Sequence, residues 1–414
     1  MTRPDSVDRL LVDWIAEQDR SGATYLGEVL AVTQATRQRP AWSFPERWIP
    51  VQLTLRRVAV PRATPYLALL AILILIALAA VAFVGSQRQL PEPFGPASNG
   101  LLVYPSSAGD IVLLDPQTGE ATTLVGGPEV DRQPAFSRDG TRVAFVRTVD
   151  RADTVLIADV DGGQPIAVTT EPLTSVAALA WSPDGRRLAI VTGLDTARQI
   201  WLASTDGSTA PVKVDTDLVA EEVAWRPPDG REIVFRGTAT PGTGYRLYLA
   251  NADGTNVRQL SPVAGSDSAD YTPGFSPDGE RLFYVRWDEE GGHLYGFDLA
   301  ADAETEIGPK DGRSVAAFGV SPDGARVSLL IPSLIDHGPT QIAVAASDGT
   351  GPVIDTGPQF PDVRAYHRWA PDGTVILAWH GSGTMLMYVD PAGGPARDLD
   401  WPGVIDPDYQ RLAP

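Results

Sequence analysis

The chain has 414 residues, more than one ordinary domain needs, so the first question is how it divides. Residues 1–65 carry nine Arg against seven Asp plus Glu and residues 66–84 carry no charge, so residues 85–414 hold the remaining 24 basic and 45 acidic side chains, a net of -21. Such acidity repels phosphate backbones, which argues against nucleic acid as a partner, and the absence of cysteine excludes disulfides, thiolate nucleophiles and Cys-based zinc sites.

Taken from the N-terminus, the apolar positions Val7, Leu10, Leu11, Trp14 and Ile15 fall at helical spacing, with Asp5 or Ser6 available as a cap. A second amphipathic stretch places Leu26, Val29, Leu30 and Thr33 on one side and stops at Pro40. Helices this short are marginal alone, so the face of Leu10, Leu11, Trp14 and Ile15 needs a neighbour, the membrane surface or a protein partner. Trp42, Phe44, Arg47 and Trp48 read as an interfacial anchor.

Residues 66–84, YLALLAILILIALAAVAFV, form an uncharged run whose helix would cover roughly the 30 Å hydrocarbon core. Twelve of its residues are Leu, Ile, Val or Phe, which favours insertion by about 4 to 7 kcal/mol. Arg37, Arg39, Arg47, Arg56, Arg57 and Arg62 precede it against Glu46 alone, while only Arg88 follows within 20 residues, so the N-terminus is expected inside the cell. A cleaved signal peptide fits less well, because the run is long and follows 65 residues of other sequence. Only Lys213 and Lys310 are lysine, and with abundant Ala, Gly, Pro and Arg this composition points to a GC-rich bacterial genome.

Beyond a Pro, Gly and Ser-rich linker one motif recurs: AFSRDGTRVAFV from Ala135, AWSPDGRRLAIV from Ala180, AWRPPDGREIVF from Ala224, GFSPDGERLFYV from Gly274, GVSPDGARVSLL from Gly319 and RWAPDGTVILAW from Arg368. Its aspartates, Asp139, Asp184, Asp229, Asp278, Asp323 and Asp372, are spaced by 45, 45, 49, 45 and 49 residues. Each period gives four strands, the content of a propeller blade. The turn chemistry accounts for the motif: Ser suits the first position, Pro presets φ at the second, Asp is accepted at the third, and Gly takes the left-handed fourth. These six aspartates are therefore read as structural, as are the Asp-Gly pairs starting at Asp161, Asp206, Asp253 and Asp348. Two fragments remain, three strands in residues 101–125 and a tail, Asp408 to Pro414, that parallels Ala365 to Pro371. Joined, they make a seventh blade closed by strands from both ends of the domain.

The expected fold is thus mainly β: a seven-bladed β-propeller at 101–414 whose C-terminal strand closes the first blade. A cytoplasmic helical segment (1–62), a transmembrane helix (63–85) and a linker (86–100) precede it. The Ser-Pro-Asp-Gly units resemble the WD40-like PD40 repeat of TolB propellers and of the propellers on prolyl oligopeptidase-type enzymes. The layout of a small helical inner part, one span and a large outer domain resembles membrane-bound anti-sigma regulators; residues 1–65 lack the His and Cys that their zinc-binding versions use.

For catalysis the inventory is thin: four histidines, His293, His337, His367 and His380, no thiol and no G-x-S-x-G elbow. His380-Gly381-Ser382-Gly383 reads as a turn. His367 and His380 fall in the last blade, and two histidines without a placed carboxylate are too few to argue a metal site. The sequence is therefore read as a membrane-anchored extracytoplasmic binding or sensing protein of the bacterial cell membrane, not an enzyme, with no cofactor. Its ligand would be a protein, peptide or glycan. A transmembrane anti-sigma-like regulator, with a sigma factor as cytoplasmic partner, is the alternative, and a propeller hydrolase or lyase the second.

Overall fold

The structure, a computed structural model, describes residues 94–169, 171–240, 244–261, 268–333, 339–360, 365–380, 386–401 and 403–413. The chain divides into two units, Met1–Gln87 and Arg88–Pro414, and the described residues all belong to the second. The helices and the span expected before residue 86 lie outside them. Among the described residues no helix is long and apolar enough to cross a membrane.

The described residues form seven four-stranded antiparallel sheets, the blades of a propeller, and the expected closure is observed. Blade 1 runs Asp408–Leu412, Ser98–Pro105, Ile111–Leu114, Ala121–Val125 from the centre outward. The tail takes the innermost place, with Ser98 opposite Leu412 and Leu102 opposite Tyr409. The first strand of this blade begins at Ser98, three residues inside the predicted linker, because Leu412 reaches back to pair with it. Blades 2 to 7 follow in order, each opening on its inner strand: Val130–Phe136, Val176–Trp181, Val219–Trp225, Ala269–Phe275, Ala317–Val320 and Ala365–Trp369.

A blade buries both faces of its sheet, which is why its second strands read as continuous apolar runs. Seven apolar clusters result, one at each junction between neighbouring blades; Phe145 and Val103, for example, meet between blades 1 and 2, and Trp379 and Leu102 between blades 7 and 1. The outermost strands of blades 2, 3, 4 and 7 shrink to two residues, such as Ile166–Ala167 in blade 2. Short outer strands leave little unpaired backbone to recruit another chain.

The turns do more than reverse the chain. In blade 2 Gly140 N donates to Ser137 O at 2.9 Å, and the Asp139 carboxylate accepts from Ser137 Oγ at 2.6 Å and from Thr141 N at 3.1 Å. The arginine after the turn then crosses to the next blade. Arg142 donates to Gly185 O at 2.6 Å while its guanidinium lies 5.1 Å from the Trp181 ring centre, and Trp181 Nε1 donates back to Ala135 O at 3.0 Å. Arg187 repeats this on Gly230 O and Trp225, and Arg326 on Gly373 O and Trp369.

Where the motif changes, a substitute fills the junction. Glu232 stands in the arginine position of blade 4, and Arg226, from the first position of that turn, pairs with it at 2.6 Å and donates to Gly279 O at 2.9 Å. Arg281 reaches Ser347 O at 2.8 Å across blades 5 and 6. The closing blade uses Gln410, whose Nε2 donates to Gly140 O at 2.7 Å and whose Oε1 accepts from Leu101 N at 3.1 Å. Between blades 7 and 1, Ala97 N donates to Pro371 O at 2.9 Å and Asp372 N to Asn99 Oδ1 at 3.0 Å.

Gly140 shows how tightly the turn is held: its φ is +69°, and a Cβ there would sit 2.2 Å from Arg411 O. Gly140→Ala is expected to lose more than about 2 kcal/mol, the left-handed strain plus the clash with the closing strand, whereas Gly162→Ala, at φ +94° in open space, should lose only about 1 kcal/mol. Urea midpoints of the two variants check the difference.

Candidate functional site

The inner strands of successive blades ring a central channel, and each is followed by its turn at the same end, so the channel has a turn side and a far side. Next to the turn side stands the residue just before the last inner-strand position. In blades 2 to 6 it is Ala135, Ala180, Ala224, Gly274 and Gly319, and the carbonyls of Ala135, Ala180 and Gly319 receive a tryptophan Nε1 from the following blade. Small side chains let the blades approach. In blades 7 and 1 the same position holds Arg368 and Arg411.

A third arginine joins them. Arg138 occupies the turn position that is proline in the other five motifs, and its guanidinium lies 4.9 Å from the Phe94 ring centre. Asp408 holds this group together: it pairs with Arg368 Nη1, and its other oxygen accepts from Phe136 N at 2.7 Å. Arg411 Nη2 donates to Gly95 O at 2.7 Å. The charges act on one another. Burial pushes the Arg411 guanidinium down to about 10, and the neighbouring Arg138 adds to the fall. Arg138 is lowered by the protein around it and by Arg368, against the pull of Asp408, while Asp408 and Asp406 outweigh desolvation at Arg368 and raise it. Even so, 42% of the Arg368 side chain meets solvent and Arg138 is exposed. This is a wet cationic wall.

On the far side the charges are paired. Arg147 and Asp131 meet at 2.7 Å, Arg132 and Asp153 at 2.5 Å. Arg236 is clamped between the Tyr245 and Tyr271 rings, at 3.9 and 4.0 Å, with Glu221 at 2.6 Å and Glu222 at 3.8 Å. Burial raises the Glu222 carboxyl in spite of Arg236. Arg286 serves two carboxylates, Asp270 at 2.8 Å and Glu304 at 3.1 Å, and Asp270 is fully buried. Matched pairs of this kind fix inner strands to their neighbours and leave little charge for a ligand.

The turn aspartates Asp139, Asp184, Asp229, Asp278, Asp323 and Asp372 lie in the inner turns, and each accepts the backbone N–H two residues on, at 2.9 to 3.2 Å. Burial would raise Asp184; hydrogen bonds from Ser182 and Arg186 N outweigh it and hold the carboxyl below its usual range. The helix face of Leu10, Leu11, Trp14 and Ile15 lies outside the described residues, as do His337 and 381–383. His367 is on the inner strand of blade 7, where burial lowers the imidazole to about 4 and keeps it neutral. His380 ends the second strand of that blade, buried opposite Ala365, so the two histidines do not share one position on the channel wall. Among the described residues no three His, Asp or Glu side chains are grouped as metal ligands.

Two departures from the repeat mark the cationic wall in the sequence: Arg138 where the other motifs have Pro, and Arg368 where they have Ala or Gly.

No family model matches the chain, and no curated protein matches its sequence. Solved structures do match. A prolyl endopeptidase shares 15% identity over 75% of this chain with a TM-score of 0.56, and this chain spans 50% of its length. An oligogalacturonate lyase in complex with manganese shares 16% identity, over 74% of this chain and 83% of that one, with a TM-score of 0.53. TolB from Acinetobacter baumannii shares 18% identity, over 77% and 81%, with a TM-score of 0.46. The likeness is one of fold. It corrects one expectation: the reading that the chain is not an enzyme does not stand, because a propeller of this kind serves in an endopeptidase and a lyase. Function on a propeller is set by a few wall and loop residues, so neither the fold nor a short histidine inventory decides against catalysis.

Glu304 gives this domain a pH signature. Although Arg286 also reaches Glu304 at 3.1 Å, burial first and the Asp270 charge second push the Glu304 carboxyl up to about 7. The folded protein then holds a proton that the unfolded chain releases near 4.5, so this group's contribution to stability falls as pH rises from about 4.5 to 7. Glu304→Gln is expected to flatten that fall and to raise the urea midpoint at pH 8 more than at pH 5.

Proposed function

We propose that this chain is a membrane-anchored extracytoplasmic binding or sensing protein whose ligand enters the propeller channel. The observation that carries the reading is the break in the repeat: where five blades put Ala or Gly on the turn-side wall, two put arginine, and a third arginine replaces a turn proline beside them. A ring built only for stability gains nothing from mutually repelling guanidiniums, whereas binding sites regularly hold such perturbed groups. Anchorage rests on the uncharged residues 66–84, and orientation on the six arginines before them. In this reading the amphipathic face of Leu10, Leu11, Trp14 and Ile15 meets a protein inside the cell and passes the signal on, as in anti-sigma regulators.

Membrane fractionation with protease treatment of intact spheroplasts tests the arrangement. The full-length chain is expected to stay in the membrane after alkaline carbonate washing, and an epitope in the Gly85 to Gly100 linker should be cut from outside while one at the N-terminus is protected. Release by carbonate, or protection of the linker, contradicts it.

A further inference from the structure

Three departures from the repeat fall on consecutive blades and meet at one place: Arg368 of blade 7, Arg411 of blade 1 and Arg138 of blade 2. The acidic groups whose charges reach them are Asp408 and Asp406, so three cations face two anions and one positive charge is left over. The surrounding residues 85–414 carry a net of -21, which makes this spot exceptional in sign. Two of the three arginines have a structural duty, since Arg411 holds Gly95 O and Arg368 holds Asp408. The bond to Asp408 leaves the rest of the Arg368 donor capacity unused. Arg368 directs only Nη1 at Asp408. Arg138 is exposed, its guanidinium carbon lies over the Phe94 ring, and among the described residues it donates no hydrogen bond.

A proline at 138 would preset the turn and lower the entropy of the unfolded chain, as the other five motifs do. Arginine forgoes that and adds repulsion. Its guanidinium, steadied over an aromatic ring beside a second arginine with free N–H groups, has the planar fork geometry that matches carboxylate or phosphate oxygens. The matching wall positions of blades 2 to 6 are Ala or Gly and carry no competing charge. We infer that the turn-side channel wall formed by Arg138 and Arg368, with Arg411 behind them, is a binding site for a single carboxylate or phosphate group of a small solute. This rests on the channel-ligand reading above and names the chemistry of that ligand.

The test uses full-length protein in a maltoside detergent, with ionic strength held constant by sodium chloride. Inorganic phosphate and acetate are titrated separately while the thermal unfolding midpoint is followed. One or both are expected to raise the midpoint saturably; phosphate alone assigns a phosphoryl ligand, acetate alone a carboxylate. Arg138→Ala should weaken the response at least tenfold while its midpoint in chloride alone stays within about a degree of the parent, since the side chain makes no hydrogen bond to lose. Arg186→Ala, an exposed arginine on the next turn, should respond like the parent. The inference is overturned if neither anion shifts the midpoint, if Arg138→Ala responds as the parent does, or if Arg186→Ala loses as much. Membrane placement, read by protease access, is unaffected by any of these results.

Discussion

No blade of this protein can bury both faces of its own sheet, so every blade depends on the two beside it. The dependence runs round the ring and is satisfied only if the last blade also touches the first. The propeller meets the requirement by splitting one blade between the two ends of the domain: the tail from Asp408 to Leu412 lies inside Ser98–Pro105, and Gln410 hydrogen-bonds to both Leu101 and Gly140. Without that strand blade 1 would expose an edge at the channel, and the apolar clusters on its two sides would open to water.

The turns make the ring cooperative. A Ser-Pro-Asp-Gly turn followed by arginine presents a carbonyl to the preceding blade and sends a guanidinium to the next, so the same few residues shape a hairpin and join two sheets. Blade 4 illustrates the constraint. Its motif carries an extra proline and a glutamate where arginine belongs, and Arg226 restores the bond to Gly279 from another position. The junction is kept although the residues that make it change.

Much of this was legible in the sequence. The period near 46 residues, the four strands per unit, the seven blades and the tail that closes them all follow from turn residues and apolar runs, because turn geometry and strand burial are local demands. What crosses between blades was not legible. Arg142 and Arg187 read as strand residues after a turn, and nothing in one repeat says that they stack on Trp181 and Trp225 of the next. The channel wall was hidden for the same reason: periodicity gives the spacing of Arg368 and Arg138 along the chain, but only the closed ring brings them beside Asp408. Register was hidden too, since the inner strands of blades 2 to 5 contain bulges, with Gln133 and Thr272 at positive φ.

Closure by the tail is the claim from which the channel, its cationic wall and the junction chemistry all follow. The absence of native cysteine allows a direct measurement: Ser98→Cys with Leu412→Cys in the same chain, oxidised under mild conditions and read by mobility and peptide mass. Opposed strand positions bring two Cα atoms close enough for a disulfide, so an intramolecular crosslink between these two sites should form in the folded protein and vanish in denaturant. A folded protein whose two thiols stay free, or that crosslinks only between chains, would contradict the ring described above.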